Sequence, residues 1–91
     1  MPHFRMADKA PSANVLAVDL DGTLAEKQEP FNPYTVGEPH QKVMKALKAE
    51  LAGGRKVVIF TARASSKDKK MHQTVRDWLI DHDLGDLKVT S

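Results

Sequence analysis

Apolar and polar positions fall in blocks along the chain. Val15-Leu16-Ala17-Val18 is a continuous apolar run with Asp19 directly after it, the pattern of a β-strand buried on both faces. Val57-Val58-Ile59-Phe60 repeats the pattern and stops at Thr61-Ala62-Arg63, and Leu87-Lys88-Val89-Thr90 reads as a third, short strand. Between the first two runs, Val43, Leu47 and Leu51 lie four apart with Met44 beside them. That spacing predicts a helix with one apolar stripe, starting near Pro39 and ending at Gly53-Gly54. Met71, Val75, Trp78 and Leu79 give a second stripe, with Ser65 or Ser66 as its cap and Gly85 past its end.

The order strand, loop, helix, strand, helix, strand predicts an α/β fold, with parallel strands joined by right-handed crossovers. Residues 25–40 contain Pro30, Pro33, Gly37 and Pro39 and read as a loop or small flap. Residues 1–12, with Pro2, Pro11 and Ser12, have no sustained period and read as a loose arm, which leaves 13–91 as a single domain. In such sheets ligands bind beyond the carboxyl ends of the strands. Asp19-Asp21 and Thr61-Arg63 both fall there.

Composition narrows the classes. The chain of 91 residues, 41% hydrophobic and 29% charged, suits one small domain with a modest core. No apolar run approaches the roughly 18 residues of a membrane span, and no secretory signal precedes the first strand. Cysteine is absent, which excludes disulfides and thiolate metal sites and fits a cytoplasmic protein. The formal charge of +2 conceals a split. Asp19, Asp21, Glu26, Glu29 and Glu38 face only Lys27 in the first site segment, whereas Arg55, Lys56, Arg63, Lys67, Lys69 and Lys70 face only Asp68 in the second. The split has two readings: an anionic ligand, or two segments that attract each other.

The chemistry concentrates in the first segment. Residues two apart on a strand share a face, so Asp19 and Asp21 can approach one reaction centre. Neighbouring carboxylates repel and recruit a cation, and a hard ion such as Mg²⁺ suits them, with phosphate and water completing its shell. Gly22 lets the backbone turn and brings amides near an anion. Arg63 can reach a substrate phosphate bidentately or form an ion pair. Lys67, Lys69 and Lys70 crowd a helix start, where the dipole disfavours cations; a solvated face is the plainer reading. His3, His40, His72 and His82 have no metal-ligand spacing, and Trp78 belongs to the helix stripe.

Val15 to Leu24, an apolar strand followed by Asp19-Leu20-Asp21-Gly22-Thr23, resembles the first motif of the haloacid dehalogenase-like (HAD) hydrolases. Val57-Val58-Ile59-Phe60-Thr61 resembles the second. The resemblance covers about residues 14–90 and points to the small, capless members. It implies a small Rossmann-like three-layer sandwich with about three parallel strands, and a Mg²⁺-dependent phosphatase acting through an aspartyl-phosphate. In that scheme Asp19 is the nucleophile and Asp21 the acid and base. Gly22, Thr23, Thr61, Ala62 and Arg63 bind the substrate phosphate, and Asp19 with Asp21 holds the metal.

The chain departs from that family in reaching Ser91 before the family's third and fourth motifs, a Lys and an acidic pair that normally follow the third strand. Lys88, Asp81, Asp83 and Asp86 do not replace them. Relative to the family the core is therefore incomplete, with an open edge on the first strand, and this predicts a homo-oligomer or a partner chain there. Three functions follow: a phosphatase open enough for a large phosphorylated substrate or a nucleic-acid end, a catalytically incomplete phosphate-binding or assembly module, and a half-enzyme completed by another chain.

Overall fold

The computed structural model describes residues 4–6 and 15–91. Its elements are β1 (Phe4–Met6), β2 (Val15–Asp19), α1 (Gln41–Ala52), β3 (Lys56–Phe60), a short 3-10 turn (Ala62–Ser65), α2 (Lys69–Asp81) and β4 (Lys88–Thr90). The sheet order is β1-β2-β3-β4. β2, β3 and β4 run parallel, and β1 is antiparallel to β2. The fold is thus a small α/β domain with a three-stranded parallel sheet and two helices, as the alternation of patterns predicts.

Register explains which side chains meet. Leu16 stands opposite Val57, and Val18 opposite Ile59. Strand alternation puts these four on one face, where they join Val43, Met44 and Leu47 of α1 and Val75 and Leu79 of α2 in a single cluster. Both crossovers step the same way across the sheet, and two right-handed crossovers stepping the same way place their helices on the same face. The described residues therefore build two layers, where the resemblance implies three. Leu47 and Leu79 are fully buried, each a side chain whose burial stabilises by about 1.5–3 kcal/mol.

Two expectations at the amino end are corrected. Part of the arm over 1–12 is a strand: Phe4 pairs with Val18, Arg5 with Ala17 and Met6 with Leu16. The remainder of the arm, residues 1–3 and 7–12 with His3, Pro2, Pro11 and Ser12, lies outside the described residues, as do residues 13 and 14. The outer edge of β2, expected to be open, is occupied by β1. An unpaired strand presents a row of amide and carbonyl groups, and β1 covers three of the five residues of this one, Leu16 to Val18. The edge argument for a homo-oligomer or partner chain through β2 falls with it.

The helix ends also differ in detail. α1 begins after His40, which makes no side-chain cap, and ends at Gly53. α2 is capped by Asp68 instead of Ser65 or Ser66, with Asp68 Oδ1 accepting from the amides of Lys70 (3.0 Å) and Met71 (3.4 Å). The 3-10 turn after Thr61 delays the helix. Ser65 Oγ donates to the Ala62 carbonyl at 2.8 Å, while Ser66 Oγ accepts from the Asp68 amide at 3.0 Å.

The flap is a loop closed at its base. Ala25 bridges to both Asp21 and Pro39. The Glu26 amide donates to the Glu38 carbonyl (2.7 Å), and the His40 amide to the Leu24 carbonyl (2.8 Å). Gly37 lies so near Glu26 that a Cβ would collide with that residue's carbonyl oxygen, so only glycine fits this crossing. Trp78 packs against the core and donates its indole N–H to the Gly37 carbonyl at 3.1 Å, tying α2 to the flap.

Candidate functional site

The site lies where the three parallel strands end. Asp19 closes β2 opposite Phe60. The Leu20 amide donates to the Phe60 carbonyl (2.9 Å) and the Thr61 amide to the Thr90 carbonyl (3.0 Å), which holds the ends of β2, β3 and β4 side by side. Gly22 takes φ +83°, a region open to glycine at little cost. The turn it makes is closed on itself. Gly22 N–H donates to Ala25, those of Thr23 and Ala25 to Leu20, and that of Leu24 to Asp19. Thr23 is buried. The amides of Gly22 and Thr23 thus serve the turn, whereas those of Asp21 and Ala62 have no acceptor among the described residues.

Arg63 organises the polar groups. Its guanidinium forks onto Asp21, Nη2 to Oδ1 at 2.8 Å and Nε to Oδ2 at 3.1 Å. Such a bidentate pair fixes both the position and the plane of the carboxylate. Thr61 Oγ1 lies 3.4 Å from Asp21 Oδ2 and accepts from the Arg63 amide at 3.2 Å. The side chain of Arg63 is only 3% exposed, that of Asp21 31%. Of the two roles open to Arg63, the structure places it in an ion pair, buried on the arginine side and partly exposed on the Asp21 side. The acidic and basic segments of the sequence attract each other at this point.

The same guanidinium reaches the flap. Nη1 donates to the carbonyls of Pro33 (3.2 Å) and Thr35 (2.8 Å), and the Phe31 ring covers the guanidinium carbon at 4.8 Å. Gln28 laces the flap internally, donating to the carbonyls of Asn32 and Thr35 and accepting from the Thr35 hydroxyl. Tyr34 donates its hydroxyl to Asp68 Oδ2, and Lys70 sits over the Tyr34 ring at 4.6 Å. The Tyr34 hydrogen bond, helped by the Met71 and Lys70 amides and the Lys70 charge, holds the Asp68 carboxyl below its ordinary value. The same bond and the Asp68 charge push Tyr34 up. Sequence reasoning missed Phe31, Tyr34 and Asp68. The available signal was an aromatic pair, Phe31 and Tyr34, flanked by prolines in an otherwise polar loop.

The donor set fits Mg²⁺ in part. Asp19 offers a half-buried carboxylate, and the main-chain carbonyl of Asp21 accepts no hydrogen bond among the described residues. No three His, Asp or Glu side chains cluster among the described residues. The described side chains therefore form no all-protein cage, and an ion at Asp19 would need substrate phosphate and water to complete its shell. The histidines stand apart. His40 Nδ1 is buried without a partner among the described residues, His72 is exposed, and His82 stacks tilted on Trp78 with centroids 4.4 Å apart. No helix among the described residues is long and apolar enough to cross a membrane. No protein-family model matches the chain, and no curated protein or solved structure matches it either.

Proposed function

We propose that the chain is a phosphohydrolase of the haloacid dehalogenase type, with a Rossmann-like core, Mg²⁺ as its cofactor and Asp19 as its nucleophile. One observation carries the reading. Thr61 and Asp21 belong to motif-like segments 40 residues apart, yet Thr61 Oγ1 lies 3.4 Å from Asp21 Oδ2, at the end of the strand that bears Asp19.

In this reading the Asp19 carboxylate attacks the phosphorus of a monoester, the ester oxygen leaves, and an aspartyl-phosphate forms. Asp21, in its protonated form, gives the leaving oxygen its proton and, as the carboxylate that Arg63 then holds, takes one from the water that hydrolyses the intermediate. Its Oδ2 accepts from both Arg63 Nε and Thr61 Oγ1, whereas Oδ1 accepts from Arg63 Nη2 and keeps a second lone pair, so the fork orients Asp21 without closing it. The amides of Asp21 and Ala62, without an acceptor among the described residues, are available to the phosphoryl oxygens, and the Thr61 hydroxyl joins them by turning its proton away from Asp21 Oδ2. Mg²⁺ at the Asp19 carboxylate and the Asp21 main-chain carbonyl would neutralise phosphate charge.

The second reading, a phosphate-binding module or a half-enzyme completed by another chain, is favoured by the absence of a third acidic group beside Asp19 and Asp21 among the described residues. Mg²⁺-dependent hydrolysis of an aryl phosphate, with Asp19→Asn as control, separates the two. Turnover abolished by the substitution supports the enzyme. Mg²⁺-dependent binding of a phosphate mimic without turnover overturns it in favour of the second reading.

A further inference from the structure

A cavity of about 500 Å³ opens beside the site, between the 3-10 turn, α2 and β4. Thr61 and Arg63 form its wall on the site side, and Lys69, His72, Gln73 and Arg76 form its wall on α2. Its size is that of an ordinary small-molecule pocket. No carboxylate lines it. Lys69, His72 and Arg76 recur at helical spacing, so one face of α2 presents them together.

Lys69 and Arg76 pair with no acid among the described residues, whose ion pairs are Lys27–Glu29, Arg55–Glu50 and Arg63–Asp21. Arg76 uses Nη1 to hold the carbonyls of Gly85 (2.8 Å) and Leu87 (3.1 Å). Its Nε and Nη2 have no acceptor among the described residues. Gln73 donates to Asp77 at 2.8 Å. Lys69 stands in the first turn of α2, beside the capping Asp68, whose carboxylate takes the Lys70 and Met71 amides; its ammonium adds to the positive field of Arg76 on the cavity wall. A concave wall with one sign of charge concentrates that field.

We propose that this cavity seats a second phosphate of the substrate, so that the ligand class is a small bisphosphate with one phosphate at Asp19 and the other among Lys69, His72 and Arg76. The proposal rests on the phosphohydrolase reading, because Thr61 belongs to both the site and the cavity wall.

The test compares propane-1,3-diol bisphosphate with propyl phosphate by calorimetric titration of the full chain. It is run on wild type and, so that no ligand is consumed, on Asp19→Asn. The bisphosphate should bind about tenfold tighter or better, the gain of one charge-assisted contact. The double variant Lys69→Gln, His72→Gln should erase that preference, and Lys48→Gln, exposed on α1, should keep it. Equal affinity for the two ligands, or a preference that survives the double variant, overturns the proposal. So does inorganic phosphate shifting the Lys69 and His72 amide resonances while the bisphosphate shows no advantage, because the anion is then a free one. Aryl phosphate hydrolysis without a bisphosphate preference overturns the cavity proposal alone. A preference without hydrolysis supports the cavity as a phosphate seat while the hydrolase reading fails.

Discussion

Replacing Arg63 with Gln removes a guanidinium that is 3% exposed and makes four hydrogen bonds, two to Asp21 and two to the flap carbonyls of Pro33 and Thr35. Taking one partner out of a fully buried ion pair costs about 3–5 kcal/mol. Asp21 is 31% exposed, so its orphaned carboxylate recovers part of its hydration, and an exposed pair is worth only about 0–1 kcal/mol. The loss expected between these limits is about 2–3 kcal/mol. For a 91-residue domain, with total stability on the order of 5–14 kcal/mol, that is a large fraction. Urea unfolding followed by circular dichroism measures it. Combining Arg63→Gln with Asp21→Asn should give a coupling energy of about 1–2 kcal/mol, and Arg63→Lys should recover only part of the loss because an ammonium cannot fork. Amide exchange over residues 28–35 should accelerate in Arg63→Gln. A loss below about 0.5 kcal/mol, or a double variant additive within that margin, would refute the account of Arg63 as the joint between Asp21 and the flap.

Two further outcomes follow from the same structure. Leu47→Ala, at a fully buried position where α1 meets the sheet, should lower stability by about 2–5 kcal/mol in the same urea assay, and a change under 1 kcal/mol would contradict the core described. Tyr34→Phe tests the contact from flap to α2 through pH. Because Asp68 is held below its ordinary 3.8, the contact stabilises above that value and is lost as pH falls through the lowered folded value, while Tyr34, raised above 10.0, loses its contribution as pH climbs through the raised one. The stability difference between wild type and Tyr34→Phe should therefore be constant from about pH 5 to 9 and shrink at both extremes, and a difference growing in acid would reverse the argument.

Legibility followed periodicity. The strands at Val15–Asp19 and Lys56–Phe60 and the two apolar stripes were readable because burial imposes a repeat on their residues. Phe4–Met6 is too short to show any period, and its strand exists because β2 supplies an edge to pair with. The α2 cap was misplaced because Thr61 accepts from the Arg63 amide and starts a 3-10 turn, a local hydrogen bond that leaves no hydrophobic trace. Asp19, Asp21 and Thr61 could be placed at the strand ends from pattern alone. The pairing of Asp21 with Arg63 across 42 residues was visible only as a charge split, since composition records that two segments are opposite in sign but not which atoms meet.

The position of Arg63 has a consequence for how the flap and the motif depend on each other. The guanidinium is rigid and planar, so its two edges cannot move independently: Nε and Nη2 face Asp21 while Nη1 faces the flap. Any shift of the Pro33 and Thr35 carbonyls tilts that plane and so moves the Asp21 carboxylate. Phe31 stacks on the guanidinium from the flap side, and Tyr34 anchors the flap to the Asp68 cap of α2. The orientation of Asp21 is thus set by residues of a loop that has no recognisable motif, through one side chain of the 3-10 turn that follows β3.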